Sequence, residues 1–491
     1  MNRPFRITPG MLFAAITFLA AGELASGTAP EFVIAMAGTV ACIAVTFNLL
    51  GGLRTISGIG FTCLALFTIV VSQFAKALFF ERADKNLEAP DLTIKVYFVF
   101  YFCVMLGTFV YGRLRFRLLR PLEPQSEEQF DLQYAISLLV GAIASGLFAY
   151  YDAASDSGGE SQNGHSVGIA LSSLLLFSLV LAVQKKIRET GGEHSLGVKA
   201  MIPWGIMVVF ALIRTSRGSI MLPSVIYFIT CFASGYRFRR KHYIAGATLV
   251  ILLVGFISPL EIYTREYIAG GDLSSRASSA IRLISTKPSW EAMRALSSGG
   301  SQTGSREEYY DRPGTFELSR LSAICTDSNM ISATSTGFHY GFTALRIDFL
   351  HSVPHFLYRN KPEEDSAGYL GRVTGVNPDN VENEEVMITS ISDSYGAFGW
   401  LGVVVVGGVV YPFCFILYDS LFDMKKPWGV VALSGFVYNI WGASMGSMLQ
   451  IVTRTPITLI AVSYLVGGLV SMIPVKGVQR VSLRTSVALE G

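Results

Sequence analysis

Charge is what this sequence has least of. Only 15% of its 491 residues are Asp, Glu, Lys or Arg, while 51% are hydrophobic; a soluble globular chain carries about 25% charge. The shortage excludes an ordinary water-soluble globule, and a mean hydropathy of +0.46 makes lipid the solvent of the fold. The 39 basic residues barely exceed the 36 acidic ones, so no surface for nucleic acid is expected. Cysteines are few as well: Cys42, Cys63, Cys103, Cys231 and Cys414 fall inside apolar runs, and only Cys325 lies in a polar segment. Neither a disulfide framework nor a Cys-based metal centre is expected from that distribution. A P-loop, a Gly-x-Gly-x-x-Gly turn after a strand, a His-Glu-x-x-His pair and a usable Cys-x-x-Cys are all missing. Nucleotide-driven and zinc-dependent chemistry therefore have no support, and neither cofactor nor metal is expected.

What the sequence has in abundance is apolar runs. Stretches long enough to cross a bilayer, about 20 residues each, fall near 8–27, 31–50, 57–79, 94–112, 132–151, 167–184, 200–213, 219–235 and 243–262. After a long polar interval, more follow near 395–418, 428–446 and 455–474. The pattern predicts an all-α, polytopic transmembrane bundle of about 12 spans. It divides into a block of about nine spans over 1–262, a large loop over 263–392, and a block of about three spans with a tail over 393–491. Arg3 and Arg6 precede the first run as in a signal peptide, but further spans follow at once and no cleavage site appears, so this reads as an uncleaved first helix.

The loops orient the bundle. Arg3/Arg6, Arg54, Arg113 to Arg117, Lys185 to Arg188, Arg237 to Lys241, Lys425/Lys426 and Lys476/Arg480/Arg484 fall on one side if each run spans once. The positive-inside rule makes that side, and both termini with it, cytoplasmic. The large loop then lies outside. Within it, Ser274 to Ile284, Phe316 to Ser332 and Phe342 to Tyr358 read as helices, joined by Gly/Ser-rich stretches such as Ser297 to Ser305. A small helical cap over the outward face is the expectation.

One outward connection breaks the charge rule. Ile213-Arg214-Thr215-Ser216-Arg217-Gly218 joins the seventh and eighth spans and sets two arginines on the side kept poor in positive charge. Arginine near membrane depth is costly unless paired or hydrated, which makes the pair a functional candidate; snorkelling at an interface is the alternative. With Arg265, Arg320, Arg346, Arg359, Lys361 and Arg454 they form a set of outward cations. A guanidinium fork matches phosphate oxygens, so the set suits a phosphate or pyrophosphate substrate. Surface ion pairing is the competing reading for any one of them.

Motifs along the loop carry a family resemblance. They are Arg320-Leu-Ser-Ala-Ile, Gly337-Phe-His-Tyr-Gly341, Val353-Pro354-His355 with Tyr358-Arg359-Asn-Lys361-Pro362, and Asp393-Ser-Tyr395-Gly-Ala-Phe398-Gly399-Trp-Leu-Gly402. In order and placement they resemble the periplasmic signature of O-antigen polymerases of the Wzy type and related oligosaccharide repeat-unit polymerases. Thr215-Ser216-Arg217-Gly218 likewise resembles the family's Ser-Arg-Gly hairpin. His355 stands where the family often has arginine, and Asp393 where it often has glutamate.

The resemblance implies a GT-C-like, metal-independent membrane glycosyltransferase of the bacterial inner membrane. Such an enzyme joins undecaprenyl-pyrophosphate-linked repeat units of O-antigen, capsule or exopolysaccharide at the periplasmic face. Its partners would be those lipid-linked glycans, the bilayer, a chain-length regulator and a flippase. Arg217 and Arg320 are the expected pyrophosphate contacts, supported by Arg214 and Lys361, with Arg346 and Arg359 as further phosphate binders. The general base is open between Asp393, His339 and His355; Tyr340, Tyr358, Tyr395, Phe398 and Trp400 are candidate stacking surfaces for sugar rings, with anchoring at the lipid interface as the competing reading. An O-antigen ligase of similar architecture is the nearest alternative, and a transporter or flippase of the same lipid is the alternative outside enzymes.

Overall fold

In a bilayer every backbone N–H and C=O must be satisfied within the chain, so long apolar runs fold as helices. The computed structural model describes residues 6–85, 87–112, 114, 116, 118–124, 126–155, 162–213, 217–240, 242, 244, 246, 248, 323–337, 339–353, 358, 362, 366–373, 388–440, 442 and 444–473. Among these residues it is all-helical, with no strand. Six helices are long and apolar enough to cross a membrane: Pro30–Leu49, Ile56–Leu78, Pro90–Tyr111, Glu127–Phe148, Ser390–Leu421 and Met445–Met472. Shorter apolar helices occupy Pro9–Ala25, Val198–Ala211, Leu222–Ala233 and Pro427–Val437. The expected run near 243–262 and the helix at Ser274 to Ile284 lie outside the described residues, save isolated positions.

Local sequence fixes where the helices begin. Pro9, Pro30 and Pro90 occupy first-turn positions, where the missing N–H costs nothing. Thr8, Thr55, Thr389 and Ser444 cap the next helix by accepting from its first-turn amides. Where spans cross closely, glycine lets them: a Cβ on Gly107 would lie 2.2 Å from the Gly408 carbonyl oxygen.

Among the described residues, basic side chains gather at one end of the bundle. Ser57 at the start of one helix donates to Asp419 at the end of another, Arg120 Nε to Ser420 O, and Gln184 Nε2 to Lys425 O. These contacts gather the connections that carry Arg54, Arg120, Lys185, Lys186, Arg188, Lys425 and Lys426. Phe177 stacks on Trp428 at 3.9 Å just inside them. At the opposite end the connections are held by buried polar bonds, for example Glu23 Oε2 accepting from Thr28 Oγ1 and Ala83 N.

Among its described residues the large loop reaches into the bundle. Its helix Ile324–Thr334 enters the bundle: the Ala323 N–H donates to Phe67 O at 3.1 Å, midway along the Ile56–Leu78 helix. That carbonyl lies in a π-turn, Leu66–Val70, the kind of distortion that releases a backbone acceptor. Its first described residue is Ala323, so the expected start at Phe316 lies outside the described residues, and the following helix Thr343–Ser352 ends before the expected Tyr358. Val353 ends it in extended geometry (φ −69°, ψ 132°), because the residue before Pro354 is pushed out of the helical region.

A second departure concerns the helix Ser390–Leu421. Gly399 breaks it at φ 61°, ψ −145°, a conformation essentially confined to glycine. The segment Ser390–Phe398 therefore runs back along the span that follows. Ser390 Oγ lies 2.5 Å from Tyr411 Oη, and a Cβ on Gly402 would stand 2.0 Å from Ser394 O. Asp393, expected at the membrane edge, is instead 1% exposed inside this helical hairpin.

Candidate functional site

Two half-length helices, Ile324–Thr334 and Ser390–Phe398, pack side by side within the bundle. Their N-termini point inward. A helix N-terminus buried this way carries orphan N–H groups and a partial positive charge. Asp327 answers both. Its carboxylate accepts from the Thr389 N–H at 3.1 Å, Thr389 Oγ1 at 2.6 Å, Ser392 Oγ at 2.5 Å and Tyr97 Oη at 2.5 Å. Asp327 is the only charged side chain between Leu321 and Ser335, and that isolation was the available signal for it.

Asp393 does the same for the next helix along. Its Oδ2 accepts from the Met445 N–H at 2.6 Å, which opens the helix Met445–Val452, and its Oδ1 accepts from Tyr340 Oη at 2.5 Å. The Tyr340 hydroxyl also lies 2.8 Å from the Asp393 carbonyl oxygen. Burial and the neighbouring Asp393 carboxylate push the Tyr340 phenol well above its usual range, so it stays protonated and donates. Asp348 binds the same corner, accepting from Ser366 Oγ at 2.7 Å and Ser444 Oγ at 3.4 Å. Sequence reasoning offers Tyr340 as a stacking surface for sugar, whereas it is buried and bonded to Asp393, and it misses Asp327 and Asp348.

The break at Gly399 leaves main-chain carbonyls without helical partners, and the loop Gly337–Gly341 takes them. Tyr340 N donates to Gly396 O at 3.3 Å and Gly341 N to Ala397 O at 3.1 Å. His339 Nδ1 lies 3.2 Å from Gly396 O. A carbonyl only accepts, so the proton of a neutral ring sits on Nδ1 and Nε2 is left with its lone pair. The His339 side chain is exposed. Tyr395 meets it edge-on at 6.2 Å and Trp400 meets Tyr395 at 5.6 Å, while Phe342, 68% exposed, packs on Phe398 at 4.7 Å. The result is an imidazole with a free nitrogen on an aromatic rim, fixed from below by buried carboxylates.

The structure brings together some of the expected residues. His339, Tyr395 and Asp393 belong to one cluster, and Arg346 is exposed on the adjoining helix Thr343–Ser352. Arg217 opens the helix Arg217–Ala233, with its side chain outside the described residues, as are Arg214, Arg320, His355, Arg359 and Lys361. Arg454, grouped by sequence with the outward cations, opens the helix Arg454–Met472 at a half-buried position inside the bundle, where Thr455 approaches Gly435. Asp393 has both carboxylate oxygens engaged and no exposed face, an arrangement that holds two helices and a loop in register. Among the described residues no cluster of His, Cys, Asp and Glu has the spacing of a metal site. In comparisons with known proteins, no family model, no curated protein and no solved structure matches the chain.

Proposed function

We propose that the protein is a membrane glycosyltransferase that polymerises undecaprenyl-pyrophosphate-linked oligosaccharide repeats. The observation that supports it is His339, whose Nδ1–H on Gly396 O leaves Nε2 free on a rim of aromatic rings. This rim lies at the end of the bundle away from the basic connections, which on the positive-inside rule is the periplasmic face. Twelve spans, cytoplasmic termini and residence in the bacterial inner membrane belong to the same proposal.

The reaction needs little more than position and charge. A sugar hydroxyl of the acceptor attacks the anomeric carbon of the donor, the bond from that carbon to the lipid pyrophosphate breaks, and the hydroxyl proton passes to His339 Nε2. Negative charge grows on the departing pyrophosphate. Arg217 and Arg320, with Arg214, Arg359 and Lys361, are the groups assigned to meet it, since permanent cations aimed at developing charge lower the barrier. Trp400, 43% exposed, offers a flat face for a sugar ring, while Tyr395 is buried and packs edge-on against it. Asp393 and Asp327 are positioning residues that hold the rim in place.

The test is a deletion strain complemented with plasmid-borne protein. Single repeats on the lipid A core after deletion support a polymerase. A core without glycan would mean a ligase, and lipid-linked repeats stranded on the inner leaflet would mean a flippase.

A further inference from the structure

At the basic end the helices Glu127–Ser155 and Gln162–Glu189 and the start of Val198–Ile213 leave a cleft of about 270 Å3 between them. Its floor is apolar, made by the buried side chains of Phe130, Leu181 and Ala200. Its rim is cationic. Lys185 and Lys199 come from different helices and share one carboxylate, Asp131, at 2.6 and 3.0 Å. Lys186 also lines the cleft, its stem against Gly197, and forms no ion pair with any described residue. Arg188 stands 3.9 Å over the Phe130 ring, with Glu127 at 3.8 Å. These cations outnumber the facing carboxylates, Asp131, Glu127 and Glu189.

An apolar surface adjoins the cleft. Beside its mouth Leu196, Val198 and Met201 are 59%, 78% and 51% exposed, an apolar surface that suits acyl chains and would cost free energy in water. We propose that this cleft binds the phosphodiester headgroup of an anionic phospholipid. The ammonium groups of Lys186, Lys185 and Lys199 take the phosphate oxygens, and the acyl chains leave over Val198 and Met201. Basic pockets between helices at a membrane interface are suited to such headgroups. The same cations suit free phosphate, but a free anion makes no use of the apolar floor and mouth. Asp131 is the internal competitor: it already occupies the ammonium groups of Lys185 and Lys199.

The competition gives the proposal a test with opposite signs. Full-length protein is reconstituted into nanodiscs of equal phosphatidylcholine and phosphatidylglycerol, and retained lipid is counted by native mass spectrometry. Phosphatidylglycerol is expected to exceed phosphatidylcholine about tenfold, and the Lys186→Ala/Lys199→Ala variant to lose that excess, since each lysine removed is worth roughly fivefold. Asp131→Asn frees two ammonium groups and is expected to raise retention about threefold, a gain that misfolding does not produce. Equal retention of the two lipids, an unchanged double variant, or a loss in Asp131→Asn would overturn the proposal. So would inorganic phosphate alone, in detergent, raising the unfolding temperature as far as phosphatidylglycerol does, since that assigns the cleft to a free anion.

Discussion

Asp327 and Thr389 are joined twice, by the Thr389 amide at 3.1 Å and its hydroxyl at 2.6 Å, although 62 positions separate them in the chain. One carboxylate thereby closes the large loop upon itself within the bundle and caps the helix that carries Asp393. Replacing it with alanine strands the Thr389 N–H, the Ser392 and Tyr97 hydroxyls and the Thr389 side chain in a buried place. Each orphaned buried donor costs about 1–3 kcal/mol, so Asp327→Ala is expected to lose several kcal/mol and to fall sharply in membrane abundance. Asp327→Asn rescues little, because its amide turns donors toward donors. Fluorescence-detected size exclusion of tagged variants measures this; an asparagine variant as abundant and as monodisperse as the parent would count against a capping role.

The hairpin makes a sharper prediction about two glycines. Gly399 needs its left-handed φ of 61°, and a Cβ there would stand 3.2 Å from His339 Nε2. A non-glycine residue in this region is strained by about 1–3 kcal/mol, so Gly399→Ala is expected to fold with reduced stability and a displaced His339. Gly402 has no unusual φ, yet its Cβ would meet the Ser394 carbonyl at 2.0 Å, and backbone cannot step aside as a side chain can. Gly402→Ala is therefore expected to be the worse of the two. Thermal unfolding of both variants in detergent ranks them, and the reverse order would mean that the hairpin is looser than these contacts imply.

Among the described residues much of the helical framework was legible because hydropathy is a long-range average: apolar runs there are helices near the predicted places, and Arg and Lys gather at one end. The loop was less legible, for a physical reason. Ile324–Thr334 and Ser390–Phe398 are too short and too rich in Ser and Thr to register as membrane helices, and their burial depends on mutual capping through Asp327 that no local pattern encodes. In sequence Gly399 and Gly402 belong to a motif opening a span, and only the three-dimensional path shows a reversal. His339 and Asp393 are both candidate bases by residue type. Geometry separates them, since one is exposed with a free nitrogen and the other is enclosed with both oxygens bonded.

That separation is testable in the proposed reaction. His339 is exposed and makes one side-chain bond to a carbonyl, so His339→Ala is expected to change stability by no more than about 1 kcal/mol. Loss of a general base costs about 100-fold or more in rate, and polymer length on gels should collapse to single repeats at unchanged protein level. Tyr340→Phe offers the contrast: it leaves the Asp393 carboxylate short of a donor and is expected to lower stability first. A His339→Ala strain with full-length polymer would remove the histidine from the chemistry.

At the basic end, Glu123 supplies a dependence on pH. It lies in the connection between the helices Pro90–Tyr111 and Glu127–Ser155, outside any span, and burial pushes its carboxyl up to about 8, against the Lys426 ammonium and a bond from the Trp428 backbone N–H. Its Oε2 is buried with no hydrogen-bond partner among the described residues. From an ordinary value of 4.5, the native state holds this proton more tightly than the unfolded chain does. The stabilisation is therefore complete at acid pH and is lost as pH rises from about 4.5 to about 8. Glu123→Gln keeps the shape and remains neutral throughout. Unfolding temperatures of the two proteins in detergent are expected to agree near pH 5 and to diverge by pH 8.5, with glutamine ahead by an amount on the order of 1–3 kcal/mol for a partly solvated group. Parallel curves across that interval would show that the carboxyl is ionised without penalty, and that the connection it sits in is open to water.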